Sequence, residues 1–360
     1  MPSTHCPSPW PAALDSVVER VVIHSPRAFS FAGEPATEVP AGPQPGSGPW
    51  QAGPGGHPLP AHPLVAGLQG TLYGRCYSRP LDDSPPPPAL ALASHGAEAA
   101  AFLQALSRAN RSRERWDGGW SVHQVYPGGQ LAVHKGERHR SAAAGEYVTA
   151  IPGRAPVNGD EVSLRVPRES AQLQPGFYFV FGETLSDVYD DAMTVRFYFH
   201  VARQGAELLV ATVSKVLNEA QVPFRFKCLS HPDHYQRTDA AVLYVSRRHY
   251  QVVARRLLAS LPEELARQLR PQVPLFSKPL RLGIGLAEDP GNGESFGMHR
   301  CRLVAEALVT AWQRGEHGLA GRRAVVAERF AAAGMSFERP HLNPGSAELP
   351  ELPQNGGIAL

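Results

Sequence analysis

Hydrophobic and polar positions alternate with period two in several short stretches of the second half of the chain. In 195–201, VRFYFHV, Val195, Phe197, Phe199 and Val201 fall on one side and Arg196, Tyr198 and His200 on the other. In 224–229, FRFKCL, Phe224, Phe226 and Cys228 share one side and Arg225 and Lys227 the other. Between them, Leu208, Leu209, Val213, Val216 and Leu217 recur at the three-to-four spacing of an amphipathic helix over 205–220. Two strands joined by such a helix tend to enter one sheet. Further strands are predicted at 177–181 and 240–246. Helices are predicted over 250–261 and 294–314, with irregular or extended chain over 271–286.

The first half reads differently. Leu64, Leu68, Leu72 and Tyr73 mark a helix over 64–77, and the Ala- and Leu-rich run 89–112 predicts another. Two alternating runs over 116–135 flank Pro127-Gly128-Gly129, a hairpin signal, and short strands follow in 145–166. Segment 32–60 is Pro- and Gly-rich and offers little to a core, so a flexible insertion is expected; 85–88 reads as a stiff connector. The expected architecture is α+β. A helical and hairpin-containing region spans 1–165, a sheet-based domain 166–330, and a flexible tail 331–360, with no internal repeat.

Composition narrows the function classes. With 360 residues, 42% of them hydrophobic, a sizeable core can be buried. A net charge of +2 argues against a general nucleic-acid coat, which needs a concentrated cationic face. No run of about 18 apolar residues is present, so no membrane span is expected. The first residues lack the pattern of a secretory signal, and the four scattered cysteines lack metal-ligand spacing; a reduced cytoplasm is the expected home.

Local charge matters more than the total. Arg196, Tyr198, His200, Arg225 and Lys227 share one strand face; Tyr235, Arg237 and Asp239 precede a strand bearing Tyr244. His299, Arg300 and Arg302 lie near the start of a helix, an end that favours anions. Taken singly, Arg and Lys on a strand are ordinary solvated charges. Their single sign over two strands and a helix start makes an anion site the competing reading. His134-Lys135, at the end of the hairpin, is open to the same two readings. The Gly-rich stretch 283–297 contains neither GxGxxG nor GxxxxGK[ST] and reads as a turn-rich connector.

Four segments, TVRFYFHV, VPFRFKCL, YQRTDAAVLYV and PLFSKPLRLGIGLAEDPGNGESFGMHRCRLVAEAL, resemble in order and spacing the HopA-like family, named for a plant-pathogen type III effector. The resemblance is strong over about 170–315. It implies a phosphoserine/phosphothreonine lyase of class V lanthipeptide or thioamitide-type peptide biosynthesis. There a separate aminoglycoside-phosphotransferase-like kinase phosphorylates a precursor peptide, and the HopA-like partner eliminates phosphate to leave dehydroalanine or dehydrobutyrine. A more distant resemblance is to the effector phosphothreonine lyases. It implies Lys227 as general base and Arg196 and Arg237 as phosphate ligands with Tyr244 nearby; Arg300 and Arg302, cations at a helix start, are expected to help hold the phosphate. Tyr198 stands where those lyases carry a His acid, so Tyr198 or His200 is the expected proton donor. No metal or organic cofactor is implied. The alternative is a non-enzymatic, effector-like protein-binding module, which has no use for a desolvated Lys227 among phosphate cations.

Overall fold

The computed structural model describes residues 9–40, 62–81 and 96–352. Helix α1 (Pro9–Arg20) runs directly into the hairpin β1 (Val21–Ser25) and β2 (Ala28–Phe31), and β3 (Thr37–Glu38) completes a three-stranded antiparallel sheet. Helix α2 (Pro63–Leu72) starts at His62, whose side chain accepts the Leu64 N–H, and continues as a π-helical turn over 73–77. That turn closes with the Ser78 N–H on the Tyr73 carbonyl at 2.9 Å, the wider i→i+5 ring. Helix α3 spans Ala97–Ala109.

The hairpin predicted around Pro127 is present and belongs to a five-stranded antiparallel sheet. Its strands are β4 (Arg115–Val125), β5 (Leu131–Lys135), β6 (Arg138–Ala142), β7 (Tyr147–Thr149) and β8 (Glu161–Val166), in the order β6-β5-β4-β8-β7. Trp120, Val122, Leu131, Val133, Val162 and Leu164 give it a small core of its own.

The remaining strands form a seven-stranded antiparallel sheet: β9 (Glu169–Ser170), β10 (Phe177–Phe181), β11 (Thr194–Phe199), β12 (Phe224–Leu229), β13 (Ala241–Ser246), β14 (Lys278–Arg281) and β15 (Ile284–Glu288). Their order is β14-β15-β11-β13-β12-β10-β9. The strands on either side of the predicted helix α5 (Ala206–Glu219) therefore share a sheet, with β13 inserted between them. The other helices are α4 (Val188–Ala192), α6 (Tyr250–Val252), α7 (Glu263–Ala266), α8 (Phe296–Gln313) and α9 (Leu319–Ala332). The fold is α+β, as expected from the pattern.

The large sheet separates two cores. On one face Phe197, Phe226 and Leu243 pack with Leu209, Val213 and Leu217 of α5. On the other, Tyr198, Val242, Tyr244 and Ala287 join Tyr77, Phe296 and Cys301, and with them residues of α1, α2 and α9. The N-terminal elements are thus part of the main body, and only the five-stranded sheet stands apart from the division expected at 165.

The structure departs from the expectations in several places. The tail from 331 is seated as far as 352: Leu342 and Leu349 are buried, and Asn343 donates to Glu288 at 2.7 Å. Helix α9, whose Val325, Val326 and Phe330 face the core, lay partly in that supposed tail and was not predicted. The predicted helix 250–261 divides into α6, a π-turn and a 3-10 turn. Segment 271–286, expected to be irregular or extended, is extended where β14 pairs with β15 in a hairpin. Of the expected flexible insertion, 32–40 carries β3; residues 41–60 and the connector 85–88 lie outside the described residues.

Candidate active site

Antiparallel pairing aligns the polar side of the large sheet into cross-strand rows. Tyr244 pairs with Arg196 on one side and Arg225 on the other; Val242 pairs with Tyr198 and with Lys227. Residues paired directly across strands point to the same face, so the alternation read from the sequence brings Arg196, Tyr198, Arg225, Lys227 and Tyr244 together. This face is covered over much of its area: Tyr198 and Tyr244 are buried under Tyr77 and α8.

Tyr244 lies between cations. The guanidinium carbons of Arg225 and Arg196 lie 4.6 and 5.3 Å from its ring centre, and Lys227 Nζ at 5.9 Å. Burial alone would raise its phenol, but Lys227, Arg196 and Arg225 outweigh burial and hold it below the ordinary range. Lys227 Nζ donates to Gln174 Oε1 at 3.0 Å and sits over Phe177 at 4.2 Å and Phe179 at 5.9 Å. Desolvation by this aromatic wall pulls its pKa below the usual lysine value, and Arg196 adds to the effect against the opposing Tyr244.

The two arginines expected to bind phosphate each hold a carboxylate. Arg196 donates from Nε and Nη2 to Asp289 Oδ2 at 2.8 and 2.6 Å. Arg237 grips Asp239 through two bonds of 2.8 Å and reaches the Tyr73 hydroxyl at 3.1 Å. Each guanidinium has five N–H donors, so neither is exhausted. Arg225 and Arg79 have no carboxylate partner among the described residues. Arg79 is half-buried, and burial, Arg237 and Arg75 all lower its pKa.

Tyr198 Oη is buried with no partner in hydrogen-bonding geometry among the described residues, although Tyr77 and Arg196 lie near enough to influence it. Burial raises its pKa, so it keeps its proton. Tyr77 meets its ring edge-on at 6.3 Å and in turn stacks on Tyr73 at 5.2 Å. His200 behaves otherwise. Its Nδ1 lies 2.9 Å from the Gln272 carbonyl, which fixes the proton there, and burial lowers its pKa. The remaining Nε2 is a buried acceptor with no partner among the described residues and no proton to give.

Three expected contributors are not at the site. Arg302 lies two residues beyond Arg300, about 200° around the helix, and is bound to Glu294 and Glu306. His134 stacks toward His123 and His139 on the five-stranded sheet, and Lys135 bridges Asp117 and the Gly118 carbonyl there. Arg300 is fully buried and near Arg196 and Tyr198, but its Nε and Nη2 donate to the Pro340 and Leu342 carbonyls at 2.7 and 3.1 Å. Burial lowers its pKa to about 9. Its role is to tie the tail beneath the site. Residues missed in the sequence, Asp239 and Asp289 as counter-ions, Tyr73 and Tyr77, Arg79 and Gln174, lie in loops or the π-turn, where alternation says nothing.

Among the described residues, no group of three or more His, Cys, Asp or Glu is placed to hold a metal ion, and no helix is long and apolar enough to cross a membrane. Residues 168–342 match the HopA1 effector protein family. This chain carries a HopA1 effector domain. The match begins at β9 and ends in the seated tail, so the HopA1 domain is the large sheet with α5, α8 and α9, and the five-stranded sheet lies outside it. Two solved structures of effector proteins are similar. That from Pseudomonas syringae pv. tomato strain DC3000 is 16% identical, with TM-score 0.43, covering 79% of this chain and 95% of that one. That from Pseudomonas syringae pv. syringae strain 61 is 14% identical, with TM-score 0.39, covering 76% and 88%. No curated protein matches.

Proposed function

We propose that the HopA1 domain of this chain is a phosphoserine/phosphothreonine lyase acting on a phosphorylated precursor peptide. The observation that supports it is Lys227: an amine desolvated against Phe177 and Phe179, held among cations and shifted toward its neutral form. A neutral amine is a competent base for the weakly acidic α-proton of a phosphorylated residue. As Lys227 takes that proton, the C–H electron pair becomes the new Cα–Cβ double bond and the Cβ–O bond breaks. Phosphate leaves with its bonding pair, and Tyr198, which holds its proton on an unpartnered hydroxyl, protonates the departing oxygen. Dehydroalanine or dehydrobutyrine remains.

The dianion meets the cations left without carboxylates, Arg225 and Arg79, together with the spare donors of Arg196 and Arg237. Fixed positive charge where negative charge develops is commonly the largest catalytic contribution. Tyr244 links Lys227 to Arg196 and Arg225 and tunes the base. In this reading the phosphoryl group is installed by a separate phosphotransferase-like kinase, as in the lanthipeptide and thioamitide-type pathways of similar proteins.

The test is incubation of the full chain with a phosphoserine peptide and its phosphothreonine counterpart, read by mass and by thiol trapping of the alkene. Loss of phosphoric acid with thiol addition supports the lyase. Unchanged peptide, or release of phosphate that restores the hydroxyl, refutes it and returns the chain to the binding-module alternative.

A further inference from the structure

The five-stranded sheet outside the HopA1 domain contains a second group of cations, two of which form no ion pair among the described residues. At the end of its core facing the 182–187 loop, the lining turns polar. Asp117 accepts from Trp120 Nε1 at 2.7 Å and from Lys135 Nζ at 3.0 Å. Glu183 accepts from Arg113 through its backbone N–H at 3.0 Å and through its guanidinium at 2.7–3.2 Å. Arg138 donates to the Ser186 carbonyl. Each carboxylate here is engaged by another partner, and two guanidiniums are left over. Arg140 is exposed and rests on the Trp120 ring at 5.6 Å, with no carboxylate among the described residues. Arg115 Nε and Nη2 are buried with no hydrogen-bond partner among the described residues. The two arginines are close enough to repel: burial lowers the Arg115 pKa, Asp117 and Glu183 oppose this, and Arg140 lowers it further.

A buried unpaired N–H costs about 1–3 kcal/mol, more on a charged group, and a second cation alongside adds to that. A carboxylate between the two guanidiniums would remove both costs, since the planar fork matches carboxylate geometry. The position relates the group to the large sheet. The 182–187 loop begins one residue beyond Phe181, and Phe181 pairs in register with Arg225. One loop therefore borders both cationic groups.

We propose that Arg115 and Arg140 form a second anion site, which takes the carboxylate of an acidic residue in the same peptide that presents its phosphorylated side chain at Lys227. The proposal rests on the lyase reading for the identity of the peptide, and not for the site itself. The site sets which peptides are selected, away from the reacting bonds.

The experiment uses the full chain and two fluorescent phosphoserine peptides, one with a Glu run several residues from the phosphoserine and one with Gln in its place. Binding is read by anisotropy and elimination by mass, in wild type, Arg140→Gln and Arg115→Gln/Arg140→Gln, with circular dichroism as the folding control. Wild type is expected to bind the Glu peptide about tenfold more tightly, the worth of one charge-assisted pair. Both variants should lose that preference and turn over the Gln peptide at the wild-type rate. Arg140 is exposed, so the single variant serves even where the double one is unstable. Equal binding of the two peptides by wild type, or an undiminished preference in the variants, overturns the proposal. So does saturable binding of inorganic phosphate at Arg140 without any peptide preference, since the ligand would then be a free anion. Binding is measured independently of turnover. A preference lost in the variants with no elimination anywhere would leave this site standing and refute the lyase; elimination without preference would do the reverse.

Discussion

Gly297, near the start of α8, packs directly against the Tyr77 ring beside the site. A Cβ built there would lie 2.6 Å from Cδ1 and Cζ of the Tyr77 ring, whereas ordinary contacts are 3.4–4 Å. The ring has no easy retreat: Tyr73 stacks on it at 5.2 Å, Phe296 lies at 6.2 Å and Tyr198 at 6.3 Å. Overpacking of this kind costs about 1–3 kcal/mol. Replacing a helical glycine by alanine returns at most about 1 kcal/mol, and less in a first turn. Gly297→Ala is therefore expected to destabilise the protein by about 1–2 kcal/mol net. The assay is equilibrium urea unfolding, with the change appearing in the midpoint at constant slope. Because the displaced ring is the neighbour of Tyr198, elimination should slow in the same variant by more than the unfolded fraction explains. A neutral or stabilising Gly297→Ala would refute the reasoning, since it would mean that α8 and Tyr77 can separate without loss.

Other outcomes follow from the same geometry. Lys227→Ala should slow elimination by about 100-fold or more while leaving circular dichroism unchanged, and near wild-type turnover would remove Lys227 as the base. Since the base acts neutral and its folded pKa is depressed, wild-type kcat/KM should rise with pH up to that pKa and level off above it; a rate that falls over the same range would contradict the assignment. Tyr198→Phe should cut turnover, whereas His200→Ala should leave it near wild type and instead lower stability by about 1–3 kcal/mol through the lost bond to Gln272; the opposite ranking would return the acid to His200. Truncation after Arg339 removes the Pro340 and Leu342 carbonyls from the buried Arg300 and is expected to cost about 3 kcal/mol or more, measured as a fall in the unfolding midpoint; an unchanged midpoint would show the tail to be dispensable.

The strands of the large sheet were legible because period two is a local property of the chain. Their partners were not. That β13 lies between β11 and β12, placing Tyr244 between Arg196 and Arg225, is decided by non-local pairing that no window of sequence contains. For the same reason the charge on this face was overestimated: Asp239 and Asp289 arrive from loops and neutralise two of its arginines. Arg302 could have been set aside from helical rotation alone. The tail was misread because Pro, Gly and Asn were weighed by composition, while its carbonyls are acceptors for a buried cation 40 residues away.

The cross-strand rows also bear on how the sheet assembles. A slip of one residue in β11 or β12 would exchange faces, driving Arg196, Tyr198 and Lys227 into the oily space beside α5 and turning Phe197 and Phe226 onto the polar side of the sheet. Such a slipped pairing would have to strip water from unpaired cations, which disfavours it. The side chains assigned to chemistry would thus also penalise a slipped strand alignment. Replacing them with neutral, apolar equivalents would then yield a chain that is inactive and also slower and less faithful in finding its one correct threading.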